Sequence, residues 1–270
     1  QDTTIITKPS IPYNPLTKPN TYASPQNPNY WKNKMPHDGY WQQDVHYIIE
    51  AEIVDTENMI KANQQLIYTN NSPDELKHVF FHLYANAFEP DSYLDKFRKS
   101  NKMLTKFRED EKKKKNLEIL SIKSNNKNLD IEIDNTIMKV YLTEPLKSGE
   151  TIKFDIDFES HFGGEESSGN VRRRMKTYTE YGNKHFNGVH WYPRISVYDS
   201  KFGWTTDQHL GKEFYGNFGC FDVELTFPDN YIVEATGFMT NRDEVLPKEL
   251  MKKLDIKNFA NKKYNTPPST

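Results

Sequence analysis

The sequence predicts an all-β, mainly antiparallel fold, a saddle-like β-sandwich with one amphipathic helix inserted near 92–115. Three observations predict it. From Trp41 the chain alternates, with Val45, Tyr47, Ile49, Ala51 and Ile53 on one side and Asp44, His46, Glu50 and Glu52 on the other. That period belongs to a half-buried antiparallel strand. Nine or ten such short segments follow one another with turn signals between them, the spacing of a sandwich or a curved pair of sheets. Aromatic residues reach 13%, with 16 Tyr and 16 Phe, while hydrophobic residues are only 35% and the mean hydropathy is -0.88. The apolar material must therefore gather in the strands, where each aromatic ring supplies a large buried area.

The elements follow in order. Residues 1–38 carry Pro9, Pro12, Pro15, Pro19, Pro25, Pro28 and Pro36. Proline at that density prevents helix and central strand alike and predicts an extended arm. The domain proper runs over 39–237. Its first strand is followed by a polar turn at Asp55 to Asn58, a second strand from Ile60 to Tyr68, and a third from Leu76 to Tyr84. Between Ser92 and Lys115 the period changes. Tyr93, Leu94, Phe97, Leu104 and Phe107 recur at offsets of three and four among charged residues, as in an amphipathic helix. The basic run Lys112 to Lys115 suits a solvated helix end. Further strands are expected over Leu117–Lys123, Leu129–Ile133, Ile137–Leu142, Thr151–Phe158, Val189–Tyr198, Phe221–Phe227 and Tyr231–Ala235. Residues 238–270 turn polar, with a short helix around Pro247 to Leu254 and a Pro267-Pro268 pair, and read as a linker toward a further domain.

Bulk charge narrows the function classes. The formal net charge is -2 and the pI about 6.5, which supplies no electrostatic reason to bind nucleic acid or an anionic membrane. No apolar run approaches the roughly 20 residues of a membrane span. One cysteine, Cys220, excludes an internal disulfide. The chain begins at Gln1 with polar residues, so a signal peptide or an artificial chain boundary is expected just upstream, and a secreted or periplasmic location with it.

Chemistry-bearing constellations are few. His78 and His82 have a spacing that binds metal on a helix, but they lie in a strand pattern, where they would stand about 13 Å apart. His161, His185, His190 and His209 fall among loops without a fixed set of Cys or carboxylate partners, so no metal ligands are assigned in this chain. Gly163, Gly164 and Gly169 surround Glu165 and Glu166, whose charge would repel a phosphate. Arg172 and Arg174 share a strand face that Arg173 does not. Cys220 beside Phe221 is expected to be a small buried hydrophobe, and Phe81, Leu83, Trp191, Val223 and Leu225 are expected to be buried.

Four segments carry a resemblance: Tyr40-Trp41-Gln42-Gln43-Asp44-Val45-His46-Tyr47, Phe81-His82-Leu83-Tyr84-Ala85-Asn86-Ala87-Phe88, Trp191-Tyr192-Pro193-Arg194-Ile195, and Phe221 to Gly237. Together they make the chain resemble the N-terminal β-domain of the aminopeptidase N (gluzincin) family of zinc metallopeptidases, in a divergent, bacterial-type branch. The family's aromatic-Pro-Cys-aromatic-Asp motif is replaced here by Tyr192-Pro193-Arg194, with Asp199 further on. The catalytic His-Glu-x-x-His is absent, since none of the eight His is followed by Glu. That signature places two imidazoles on one helix face toward zinc, with the Glu as general base.

The resemblance implies a non-catalytic domain of a secreted peptidase that caps the active-site cleft and helps position the peptide N-terminus. It implies a C-terminal catalytic domain as partner, peptide as substrate, and zinc as a cofactor held only by that domain. It also implies a substrate-gripping residue eight to ten positions before Pro193, a window that holds Asn183 and His185 with Glu180 as the nearest acid. An ammonium group favours an anionic acceptor. A rival reading is a secreted β-sandwich that binds glycan or protein through its aromatic side chains, with no enzymatic activity.

Overall fold

A computed structural model describes residues 38–103, 107, 116–162, 184–211 and 215–258. The proline-rich arm apart from Asp38, the basic run, the Gly163 to Arg174 loop, Glu180, Asn183 and the Pro267-Pro268 pair lie outside the described residues. The chain divides into two compact units, Gln1–Phe227 and Pro228–Thr270. Among the described residues, no helix is long and apolar enough to cross a membrane.

Among the described residues, the first unit holds twelve strands and one α-helix: β1 (Asp44–Val54), β2 (Met59–Thr69), β3 (Leu76–His82), α1 (Tyr93–Ser100), β4 (Leu117–Ser124), β5 (Lys127–Asn128), β6 (Ile131–Asp134), β7 (Ile137–Leu146), β8 (Thr151–His161), β9 (Arg194–Ile195), β10 (Tyr198–Asp199), β11 (Gly203–Trp204) and β12 (Cys220–Thr226). Six strands form one sheet in the order β12-β1-β2-β8-β4-β5, four form another in the order β6-β7-β3-β9, and β10 pairs with β11. All pairs are antiparallel except β1 with β12. The apolar faces of the two larger sheets meet in one core. Tyr47, Ile49, Leu66, Tyr68, Phe154, Ile156 and Phe158 come from the six-stranded sheet, and Val79, Phe81, Met138 and Val140 from the four-stranded one. Phe81 and Phe154 cross between them edge to face at 5.7 Å.

Period-two alternation explains why these strands bury one face. In β1, Val45, Tyr47, Ile49 and Ala51 are buried while Asp44, Glu50 and Glu52 are exposed. Helix α1 begins at Ser92, whose side chain accepts from the Asp95 amide, the N-cap contact that satisfies a free helix donor.

Several sequence-based expectations are corrected. Cys220 is exposed, and Val223 is 46% exposed. The reasons differ: Cys220 stands opposite His46, on the outward face it shares with Asp222 and Glu224, whereas Val223 points inward from β12, the last strand of its sheet, and is covered on one side only. Leu225 and Trp191 are half-buried and pack against the core margin. The segment Val189–Tyr198 contributes only the two-residue strands β9 and the start of β10. Tyr231–Ala235 is not a strand, although it alternates like one. In the second unit, the pattern around Pro247–Leu254 does give a helix, α3 (Lys248–Lys253), preceded by the short α2 (Arg242–Val245).

Candidate functional site

The segment Trp191–Ile195 is held in place from below and from the side. Gln64, fully buried on β2, donates from Nε2 to the Pro193 carbonyl at 2.9 Å. Tyr47 on β1 accepts the Ile195 amide on its hydroxyl at 3.1 Å. Two core positions of the large sheet thus carry polar groups that satisfy backbone a strand ladder would otherwise serve. From the side, Ile195 and Arg194 pair with Phe81 and His82 of β3.

Tyr47 also gathers aromatic neighbours. Phe221 stacks on it at 4.7 Å and Tyr192 meets it edge-on at 5.6 Å. Burial first, then the neighbouring Tyr192, pushes the Tyr47 hydroxyl well above the usual tyrosine range, so it stays a neutral hydrogen-bonding group. The start of β12 can reach this cluster because Gly219 has no side chain: a Cβ there would stand 2.4 Å from Val45 Cγ2 and 2.7 Å from its carbonyl oxygen.

A second layer surrounds Tyr84, two residues beyond the end of β3. His82 stacks on it at 4.6 Å, and His190 and His209 approach edge-on at 5.3 and 5.6 Å. Burial holds the Tyr84 hydroxyl at about 12 and lowers His82 to about 4, with Arg194 and His209 adding repulsion and Asp207 and the Thr205 backbone opposing. The Thr205 backbone approaches His82, but neither ring nitrogen makes a hydrogen bond of normal geometry among the described residues. His209 is positioned by its neighbour: Gln208 accepts from the Thr136 hydroxyl at 2.6 Å and donates to the Asp134 carbonyl at 2.7 Å. His190 takes a left-handed backbone (φ 55°), a conformation that costs a non-glycine residue energy and recurs where a loop is shaped for a purpose.

Arg194 lies among these groups and donates from Nη2 to the Asn217 carbonyl at 3.3 Å. Gly216 permits this, since a Cβ there would fall 2.1 Å from the guanidinium. Asp199 plays a turn-forming part. It is buried, accepts from the amides of Lys201 and Phe202 at 3.0 and 2.8 Å, and takes a short hydrogen bond from the Tyr215 hydroxyl.

No protein-family model matches the chain, and no curated protein matches it significantly. Among solved structures, it is similar to an M1 zinc metallopeptidase of Deinococcus radiodurans. A point mutant of that enzyme bound to a Tyr-Ser-Ala substrate aligns over 74% of this chain and 36% of its own, at 13% identity and a TM-score of 0.42. A two-domain M1 zinc metallopeptidase mutant bound to L-tryptophan aligns over 74% and 36%, at 14% identity and 0.41. Another structure of an M1 zinc metallopeptidase from Deinococcus radiodurans aligns over 44% of this chain and 21% of its own, at 14% identity and 0.29. At these values the likeness decides neither family nor activity. The chain spans at most 36% of the length of these structures.

Of the residues that sequence reasoning assigns to substrate, Glu180 and Asn183 lie outside the described residues. His185 is exposed on the segment leading to Trp191. Its neighbour Phe186 turns inward against Phe162 at 4.6 Å, so the loop is anchored at one point and open at the next. The layer of His82, Tyr84, His190, His209 and Arg194 is not visible in the sequence, where its members are spread over three segments. The peptidase zinc has no place in this set, because the His-Glu-x-x-His that would hold it does not occur in the chain. Among the described residues, one group brings three metal-type ligand atoms within 4.8 Å of one another: Glu118, Glu159 and His161.

Proposed function

We propose that this chain is the N-terminal, non-catalytic β-domain of a secreted zinc aminopeptidase-like metallopeptidase, and that it caps the active-site cleft and helps position the peptide N-terminus. One observation carries the reading. The four sequence segments that resemble the aminopeptidase N family, far apart in the chain, converge at a single place: Tyr47 touches Phe221 and Tyr192 and holds Ile195, while Ile195 and Arg194 pair with β3. Residues that resemble a family for a shared structural reason should meet in space.

In this reading the segment 184–195 forms the rim of the cleft. The core pins at Pro193 and Ile195 fix where the rim stands, and the carboxylate of Glu180 or the side-chain acceptors of Asn183 and His185 receive the substrate ammonium. Peptide hydrolysis and the catalytic zinc belong to the C-terminal catalytic domain.

The test is to read the encoding gene beyond Thr270 and then assay the whole protein. The expected result is a His-Glu-x-x-His downstream and hydrolysis of aminoacyl anilides that the isolated chain lacks. A gene without that motif, together with saturable oligosaccharide binding by the isolated chain, would replace this reading with the glycan-binding module.

A further inference from the structure

The geometry points to a divalent-cation site where β4 begins and β8 ends, formed by Glu118, Glu159 and His161. Glu118 and Glu159 are direct cross-strand partners in the β4–β8 register, so their side chains share one face. His161 lies two residues beyond Glu159 on the same strand and therefore on that face too. One donor atom from each comes within 4.8 Å of the other two, and His161 Nε2 stands 3.8 Å from Glu159 Oε2. Around a four-coordinate ion with bonds near 2.0 to 2.2 Å, ligand atoms stand about 3.3 to 3.6 Å apart. Small side-chain rotations close that gap.

The neighbouring carboxylate shows what is unusual. Asp157, two residues earlier on the same face, receives Asn63 Nδ2 from one flanking strand and Ser121 Oγ from the other, each at 2.8 Å. Glu159 is flanked instead by Lys61 on β2 and by Glu118 on β4. Lys61 approaches Glu57 at 3.9 Å, and Glu118 is a second carboxylate whose side chain makes no hydrogen bond or ion pair among the described residues. Like charges directly opposite each other destabilise a sheet. The third group, His161, has a side chain only 11% exposed, so its imidazole is held beside the two carboxylates rather than swinging in solvent. A cation would turn this repulsion into attraction and clamp β4 to β8.

Two carboxylates and one imidazole suit the borderline ion Zn²⁺, with water completing the shell. Ca²⁺ asks for six or more oxygen ligands, which this face does not supply. The site is structural, and it stands or falls whether or not a peptidase domain follows the chain.

Chelator-stripped chain titrated with zinc chloride in a calorimeter tests it, with magnesium and calcium chlorides as comparators and thermal melts alongside. The expected result is one saturable zinc site per chain, weakened at least tenfold in E118Q, E159Q and H161N, and a zinc-dependent rise in Tm that those variants lose. The double variant E50Q/E52Q, which removes charge from the same face but none of the three ligands, should bind as the wild type does. Three outcomes would overturn the site: no saturable zinc binding, binding that survives all three substitutions, or binding lost equally in E50Q/E52Q, which would reveal diffuse attraction to an acidic face.

Discussion

The hydroxyl of Tyr47 accepts the Ile195 amide at 3.1 Å, in a position where the rest of β1's inward face is apolar. The contact joins the two sheets by a polar bond through the core, and it does so at β9, a strand of only two residues. Gln64 does the same for the Pro193 carbonyl. A segment whose strand pairing is limited to Arg194 and Ile195 on one side needs its other backbone groups satisfied, because an unmet buried donor or acceptor costs about 1–3 kcal/mol.

Tyr47→Phe should therefore destabilise the chain by about 1–2 kcal/mol, since the ring still packs on Phe221 while the Ile195 amide loses its acceptor. Gln64→Leu should cost a similar amount by stranding the Pro193 carbonyl. Because both pins hold one segment, the double variant should fall short of the sum of the two. Urea denaturation of the four proteins measures this. Strict additivity would mean that the two pins act on independent pieces of structure.

His82 makes a pH prediction. Buried, it takes up a proton only near pH 4, against an ordinary value of 6.5. Between those values the unfolded chain binds more protons than the folded one, so this contribution to stability is fully present above about pH 6.5 and is lost as pH falls toward 4. The full difference is of order 3 kcal/mol. His82→Phe keeps the stack on Tyr84 and removes the titration. Denaturation at pH 7 and pH 4.5 should show the wild type losing about 2 kcal/mol more than the variant across that interval. Equal losses would show that the imidazole is reached by water.

Cys220 is exposed at the start of β12. A water-soluble disulfide reagent should label it fully in the native protein, without denaturant, at a rate close to that of an exposed thiol. Labelling that waits for urea would restore the buried position that its sequence neighbours suggest.

That contrast shows what sequence can and cannot convey here. β1 was legible because its inward face is covered along its whole length, so burial and alternation coincide. Val223 and Leu225 alternate just as well, but the same pattern on a terminal strand buys only partial cover. Tyr231–Ala235 alternates too, yet pattern alone does not supply a pairing partner. The supports of the rim were hidden for a different reason. Gln64 reads as a polar interruption of β2 until the Pro193 carbonyl is seen above it. Glu118 and Glu159 become neighbours only through the β4–β8 register, which no local window of sequence contains.

The loop before Trp191 gives the sharpest functional test. His185 is exposed while Phe186 and His190 are anchored to Phe162 and Tyr84, so a substitution at His185 leaves those anchors intact. In the full-length protein, Glu180→Ala, Asn183→Ala and His185→Ala should raise KM for peptides or lower kcat/KM. In the isolated chain His185→Ala should change stability by no more than about 0.5 kcal/mol, the usual range for surface positions. The carboxylate variant should have the largest effect, because an ammonium loses most when its anionic partner is removed. If the same three changes lower the melting temperature of the isolated chain and leave peptide kinetics untouched, the loop serves the fold alone, and the substrate side of the domain lies elsewhere.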